Sequence, residues 1–185
     1  MLEALFLFIL YSGIQNLPVQ SDTFDMIEEA SGKVFRIYVE SGESVFSIRM
    51  KDKSFSYSEN FSVKNDTFFL EERFMNIGLF SFNLTYSPKR IRMVLPFSEN
   101  TSWTYKGIES GPGFKKSIES KGYMAVEKDT IFIFNISRRE SKEDTSMVAF
   151  DSDYNLYKIT IQIPNIMGFH RILGFKSRNL VLVRR

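Results

Sequence analysis

The chain has 185 residues, of which 43% are hydrophobic, and this is enough for one core but short for two domains. Its 24 basic and 22 acidic residues nearly balance, so no overall field favours nucleic acid, which we do not expect as a partner. The absence of cysteine excludes disulfides, thiolate metal sites, cysteine nucleophiles and a lipid-modified N-terminal cysteine.

The N-terminal segment has features of an export signal. Residues 4–11 form an apolar run of signal-peptide length, too short to span a bilayer. Val19 and Ser21 stand three and one residues before a cleavage point, although no lysine or arginine precedes the run. We predict a signal peptide over residues 1–21 and a periplasmic or secreted protein. Translation from Met26 would instead give a cytoplasmic protein.

The mature part, residues 22–185, reads as a single β-domain that starts with one short helix. Asp22 or Asp25 can cap a helix over residues 22–32, and Gly32 can end it. From residue 33 onward apolar and polar residues alternate, as strands with one buried face require. Nineteen phenylalanines and eight tyrosines also favour strands, because aromatic side chains suit a half-buried pleated surface.

Short turns separate the alternating segments. We place turns or loops at residues 41–43, 52–53, 65–66, 76–78, 87–89, 128–129, 138–144 and 151–153. The expected fold class is all-β, an antiparallel meander of about ten strands forming a barrel or a sandwich. Trp103 and Tyr105 alternate with polar residues and are expected on the core face.

Residues 107–117, GIESGPGFKKS, contain the ingredients of a phosphate-binding loop in the wrong order. Such a loop needs Gly, four residues, Gly, Lys and then Ser or Thr. Here five residues separate Gly107 from Gly113, and Phe114 takes the lysine position. A hairpin turn with Pro112 second and Gly113 at positive φ explains the segment better, and we expect no nucleotide ligand.

Other candidate chemistry is equally weak. Residues 151–162 begin like a calcium loop but have Leu156 in place of the glycine and Gln162 in place of the final glutamate. His170 is the only histidine, and no G-x-S-x-G motif accompanies it. We therefore predict no catalytic residue, metal or cofactor, and no enzymatic activity.

The last third of the chain is basic. No acid follows Asp153, and we predict an interaction face there formed by Lys158, Arg171, Lys176 and Arg178.

One family resemblance rests on LPFSENTSWTYKG, residues 95–107, and on the closing GFHRILGFKSRNLVLVRR. With a Pro-containing loop before a Trp-x-Tyr strand, the chain resembles small exported bacterial β-domains and lipoproteins. The resemblance implies a binding or envelope role. We expect a non-enzymatic exported domain that binds a lipid-like apolar or an anionic ligand, or an envelope protein. The alternative is a structural or regulatory interaction module that uses the basic C-terminal face.

The export interpretation predicts that a chain beginning at Asp22 folds with full cooperativity, since a removed segment cannot contribute to the native core. Urea unfolding followed by circular dichroism measures this. Failure of the shortened chain to fold would show that residues 4–11 belong to the core.

Overall fold

The computed structural model describes residues 21–42, 45–52, 55–95, 97–139, 142–163, 171 and 179–185, which form a closed antiparallel barrel. Each of its twelve strands pairs with its neighbours along the chain, and β1 pairs with β12 to close the ring. This confirms the predicted all-β meander and selects the barrel over the sandwich. The strands are β1 (Asp22–Glu28), β2 (Val34–Ser41), β3 (Val45–Lys51), β4 (Phe55–Lys64), β5 (Thr67–Ile77), β6 (Phe80–Val94), β7 (Ser102–Gly111), β8 (Phe114–Glu127), β9 (Thr130–Arg139), β10 (Lys142–Phe150), β11 (Leu156–Gln162) and β12 (Asn179–Arg184).

The barrel buries its interior and presents polar side chains outward. In β2, for example, Phe35, Ile37 and Val39 are buried, whereas Arg36 and Glu40 are exposed. The two open ends of the barrel are its rims. Rim A carries the β1–β2, β3–β4, β5–β6 and β7–β8 turns, and rim B carries the β2–β3, β4–β5, β6–β7 and β8–β9 connections.

The predicted N-terminal helix is wrong, because Asp22–Glu28 is strand β1. It pairs with β2 over six residues and with β12 over three. Met26 and Glu28 point inward and are buried. A helix of only two turns is unstable without packing. As a strand, the same segment is stabilised by hydrogen bonds to partners on both sides. Among the residues that the structure describes, no helix has the length and apolar character needed to cross a membrane.

The turn predicted at residues 87–89 is also wrong, since β6 runs through it without interruption. The register beside β5 jumps from Thr85 opposite Glu72 to Arg90 opposite Leu70, so β6 bulges between these points. Proline lacks an N–H and is tolerated at such a bulge, which is why Pro88 does not end the strand. The charged loop predicted over residues 138–144 is likewise shorter than expected, because β9 extends to Arg139 and β10 starts at Lys142.

The hairpin predicted for residues 107–117 is confirmed. β7 and β8 pair from Ser102 opposite Tyr123 to Gly111 opposite Phe114, with Pro112 and Gly113 between them. Gly113 has a φ of 76°, as the proposed turn requires.

Trp103 and Tyr105 lie on the core face, as predicted, and are only 7% and 5% exposed. The Trp103 indole lies flat over Gly122, its partner on β8. A Cβ atom at residue 122 would come within 2.0 Å of the indole, so only glycine leaves room for it.

Replacement of Trp103 by alanine should reduce the free energy of unfolding by about 3–5 kcal/mol, because it leaves a cavity in the core. Circular dichroism in urea measures the change without relying on tryptophan fluorescence. Tyr154→Ala is the control, since this side chain is 38% exposed and its loss should have a much smaller effect. Equal effects of the two substitutions would contradict the assigned packing.

Candidate functional site

Besides Glu28, which accepts a hydrogen bond from the Ser31 N–H at the β1–β2 turn, five charged side chains lie inside the barrel. They form what we call the interior belt, which consists of Glu59, Arg73, Arg90, Arg92 and Glu109. Four of them are at most 3% exposed, and the side chain of Arg73 is 11% exposed. They come from four consecutive strands, β4 to β7. Charged residues are rarely buried unless they are paired, so this belt is the strongest candidate site in the described structure.

Strand register places these residues side by side. Glu59 lies directly opposite Arg73, and Glu109 lies opposite Tyr86. Glu59 shares the inward face of β4 with the core residues Tyr57 and Phe61. The charged residues therefore occupy inward-facing strand positions, which ordinarily carry apolar residues.

Glu59 and Arg73 form the closest ion pair of the belt. Arg73 Nε and Nη2 donate to Glu59 Oε1 at 3.0 and 2.6 Å. Arg92 Nε lies 3.9 Å from Glu59 Oε2, close enough for attraction but too far for a hydrogen bond. Burial alone would raise the pKa of Glu59, but the positive charges of Arg73 and Arg92 outweigh it and hold this pKa at about 2.

Hydrogen bonds from β6 cross the interior to β9 and β10, which lie three and four places away in the ring. Arg90 Nη2 donates to Ser137 Oγ at 2.5 Å, and Arg92 Nη1 donates to Ser146 Oγ at 2.9 Å. Asn135 Nδ2 donates to the backbone oxygen of Arg92 at 3.1 Å. Since β6 is separated from β9 by β7 and β8 in the ring, these bonds show that the barrel is flattened at the belt.

Several donors around the belt have no hydrogen-bond partner among the described residues. They are Arg90 Nε, Arg92 Nε, Tyr86 Oη, Trp103 Nε1 and Ser120 Oγ, all buried. The pKa of Arg90 is lowered to about 10, mainly by burial and also by the like charges of Arg73 and Arg92. Three arginines against two carboxylates leave the belt one positive charge in excess.

The belt lies next to a weak junction in the barrel wall, between β6 and β7. These strands pair only from Thr85 opposite Ser110 to Ser87 opposite Ile108. Towards rim B the junction is spanned by the Tyr105 hydroxyl, which donates to the Pro88 carbonyl at 2.7 Å. Gly107 makes room for this contact, since a Cβ there would lie 2.2 Å from the Tyr105 hydroxyl oxygen.

The predicted basic C-terminal face is only partly within the described residues. Lys158 lies on β11 and pairs with Glu29 at 2.8 Å, whereas Arg171 is exposed. Lys176 and Arg178 lie outside the described residues, as does His170. The basic C-terminal face as a whole therefore stays a prediction.

The calcium-like segment is organised by a single side chain. Asp151 Oδ1 accepts hydrogen bonds from the backbone N–H groups of Asp153 and Asn155 at 3.0 and 2.9 Å, which makes the β10–β11 connection a compact turn. Within the described ranges, no three acidic or histidine side chains are grouped as a metal ion would require.

The chain matches no protein family, no curated protein and no solved structure. The resemblance to small exported bacterial β-domains stays a prediction.

Replacing Glu59 by glutamine should lower the free energy of unfolding at pH 7 by about 3–5 kcal/mol, because it leaves buried arginines without their counter-charge. A carboxylate with a depressed pKa stabilises the fold above its unfolded-state pKa. This contribution is lost as the pH falls from the ordinary value of 4.5 towards about 2. The difference between wild type and Glu59→Gln should therefore shrink over that range.

Urea unfolding at several pH values measures this difference. The matched control is Glu71→Gln, which removes an exposed carboxylate paired with Lys89 and should cost less than about 1 kcal/mol. A gap between wild type and Glu59→Gln that stays constant from pH 7 to pH 2 would contradict the assigned ion pair.

Proposed function

We propose that the barrel is a non-enzymatic binding domain whose ligand is a small anion carrying a carboxylate or phosphate group. The observation that carries this proposal is the interior belt, with its excess positive charge and its unpaired buried donors. Isolated buried charge costs several kcal/mol, and an anion beside the arginines would offset that cost.

The chemistry of the donors suits such a ligand. Arg90 and Arg92 each have a buried Nε without a hydrogen-bond partner among the described residues, and the Tyr86 hydroxyl likewise has none there. Guanidinium groups bind carboxylate and phosphate oxygens through charge-assisted hydrogen bonds, and several donors converging on one anion strengthen them. The Arg90 guanidinium also lies over the Tyr86 ring, 5.8 Å from its centroid, so the two groups belong to one cluster.

The packing of the interior favours an anion over a lipid-like apolar ligand. In the apolar half of the barrel, Phe46 packs against Phe61 and Phe68 with ring centroids 5.5 Å apart in both pairs. Phe35 packs against Phe55 in the same way at 6.4 Å. These rings occupy the space that an apolar ligand would need.

We place the route to the belt at the β6–β7 junction. β6 carries Arg90 and Arg92 just beyond the three paired positions, where the Tyr105–Pro88 hydrogen bond spans the gap. Breaking this one bond requires no loss of strand pairing elsewhere in the ring. An anion entering there reaches the two arginines first.

We further propose that the domain works outside the cytoplasm, which rests on the apolar run of residues 4–11. The alternative function, an interaction module using the basic C-terminal face, now rests on Arg171 as the exposed cation within the described part of that face. Because Lys158 is paired with Glu29, the interior belt offers the better-supported site.

Anion binding can be measured through Trp103, the only tryptophan. Its indole lies against Gly122, whose β9 partner Asn135 donates to the backbone oxygen of Arg92. Phosphate, sulfate and succinate are titrated at constant ionic strength maintained with sodium chloride. We expect a saturable change in fluorescence for at least one anion. A rise in melting temperature should accompany it, since a ligand at 100 times its Kd adds about 2.7 kcal/mol of stability.

Arg90→Met should abolish the response, and Tyr86→Phe, which removes only a hydroxyl, should weaken it several-fold. Arg49→Met is the matched control, because Arg49 lies on the outer face of β3 in an exposed ion pair with Glu40. Circular dichroism verifies that each variant is folded. An absent response in wild type, or one that survives both belt substitutions, would overturn the proposal.

A further inference from the structure

Rim A presents two large apolar side chains to solvent at one hairpin. Leu79, in the β5–β6 turn, is fully exposed, and Phe80, the first residue of β6, is 51% exposed. Gly78 precedes them with a φ of 59°, which places the turn at the tip of the hairpin. Single exposed apolar residues are common, but two adjacent ones at a tip suggest a contact with another surface.

Lysines stand on the neighbouring hairpin of the same rim. Lys115 and Lys116 follow the β7–β8 turn and are both exposed. The pairing of Thr85 with Ser110 joins the β5–β6 hairpin to the β7–β8 hairpin, and Gly111 packs closely against Leu84. The β5–β6 hairpin extends past the β7–β8 turn, so its apolar tip projects beyond the lysines.

An open groove continues from these lysines along the outside of the barrel. Lys115, Lys116, Ser117, Glu119 and Arg138 line it, and its volume is about 550 Å³. Three cations against one carboxylate make the groove positive. Glu119 is itself paired with Lys106 at 2.8 Å, which reduces its effect on an incoming anion.

We propose that rim A docks on the surface of an anionic lipid bilayer. Leu79 and Phe80 enter the boundary between headgroups and acyl chains, while Lys115, Lys116 and Arg138 contact lipid phosphates. Exposed apolar side chains beside basic ones are the combination that binds peripheral proteins to anionic membranes. This surface is separate from the interior belt and does not depend on it.

Charge complementarity and the apolar tip together favour a bilayer over a soluble polyanion. A nucleic acid or an acidic polysaccharide would satisfy the lysines and Arg138 but would leave Leu79 in water. A bilayer satisfies both parts, because the projecting tip reaches deeper than the basic groove beside it.

Co-sedimentation with vesicles tests the proposal, using phosphatidylcholine alone and phosphatidylcholine with 30% phosphatidylglycerol. We expect binding to the anionic vesicles, little binding to the neutral ones, and weaker binding as salt is raised. Leu79→Asp and Lys115→Glu should each reduce affinity for the anionic vesicles by about tenfold. Both side chains are exposed, so neither substitution disturbs the core.

The matched controls lie towards rim B. Val45→Asp replaces another exposed apolar residue, 63% accessible, and Lys64→Glu reverses another exposed charge. Both should bind anionic vesicles like wild type. The proposal is overturned if wild type ignores anionic vesicles, if the rim A variants bind as well as wild type, or if the controls lose binding equally. Binding to heparin or to a single-stranded oligonucleotide without vesicle binding would also overturn it.

Discussion

A ring of twelve strands encloses more space than a simple layer of aliphatic side chains can fill, and this molecule fills part of it with side chains that bond across the interior. The decisive contacts are those from Arg90 and Arg92 of β6 to Ser137 on β9 and Ser146 on β10. They require long side chains with terminal donors. Their positive charges in turn require Glu59, whose carboxylate is buried beside Arg73 and Arg92. The flattened shape of the barrel and the charged residues in its interior are therefore connected, because both result from filling the wide interior of the ring.

Apolar side chains surround the belt and strengthen the electrostatic interactions between its charged groups. Phe68 and Met93 are buried towards rim B, and Met75 and Ile77 are buried towards rim A. Water is thus kept away from the charges on both sides, and attraction between opposite charges is less screened than at the surface. The same surroundings make an unsatisfied polar atom costly, and this applies to the Nε atoms of Arg90 and Arg92 as well as to Glu59 Oε2.

Periodicity in the sequence was sufficient to predict the strands, most of their turns and the inward direction of Trp103. It failed at β1, where residues 22–32 carry local helix signals but pair with β12, whose residues lie more than 150 positions away. It also failed at Pro88, because a bulge depends on the register of the partner strand. Part of the belt was visible in principle, since Glu59 falls in phase with Tyr57 and Phe61. The contacts across the lumen were not visible, because they depend on how far the closed ring flattens.

Closure of the ring joins the first strand of the barrel to the last. β1 and β12 meet at three paired positions, and Arg184 Nη2 donates to Asp22 Oδ2 at 2.8 Å across 162 residues. During synthesis, which proceeds from the N-terminus at roughly 5–20 residues per second, β1 has no partner on this side until β12 has been made. For that period the nascent chain is an open sheet with an unpaired edge, able to pair with other chains. Such a topology folds slowly because its closing contact has the largest sequence separation available. Until β12 has paired with β1, that edge is the part of the sheet most open to pairing with another chain.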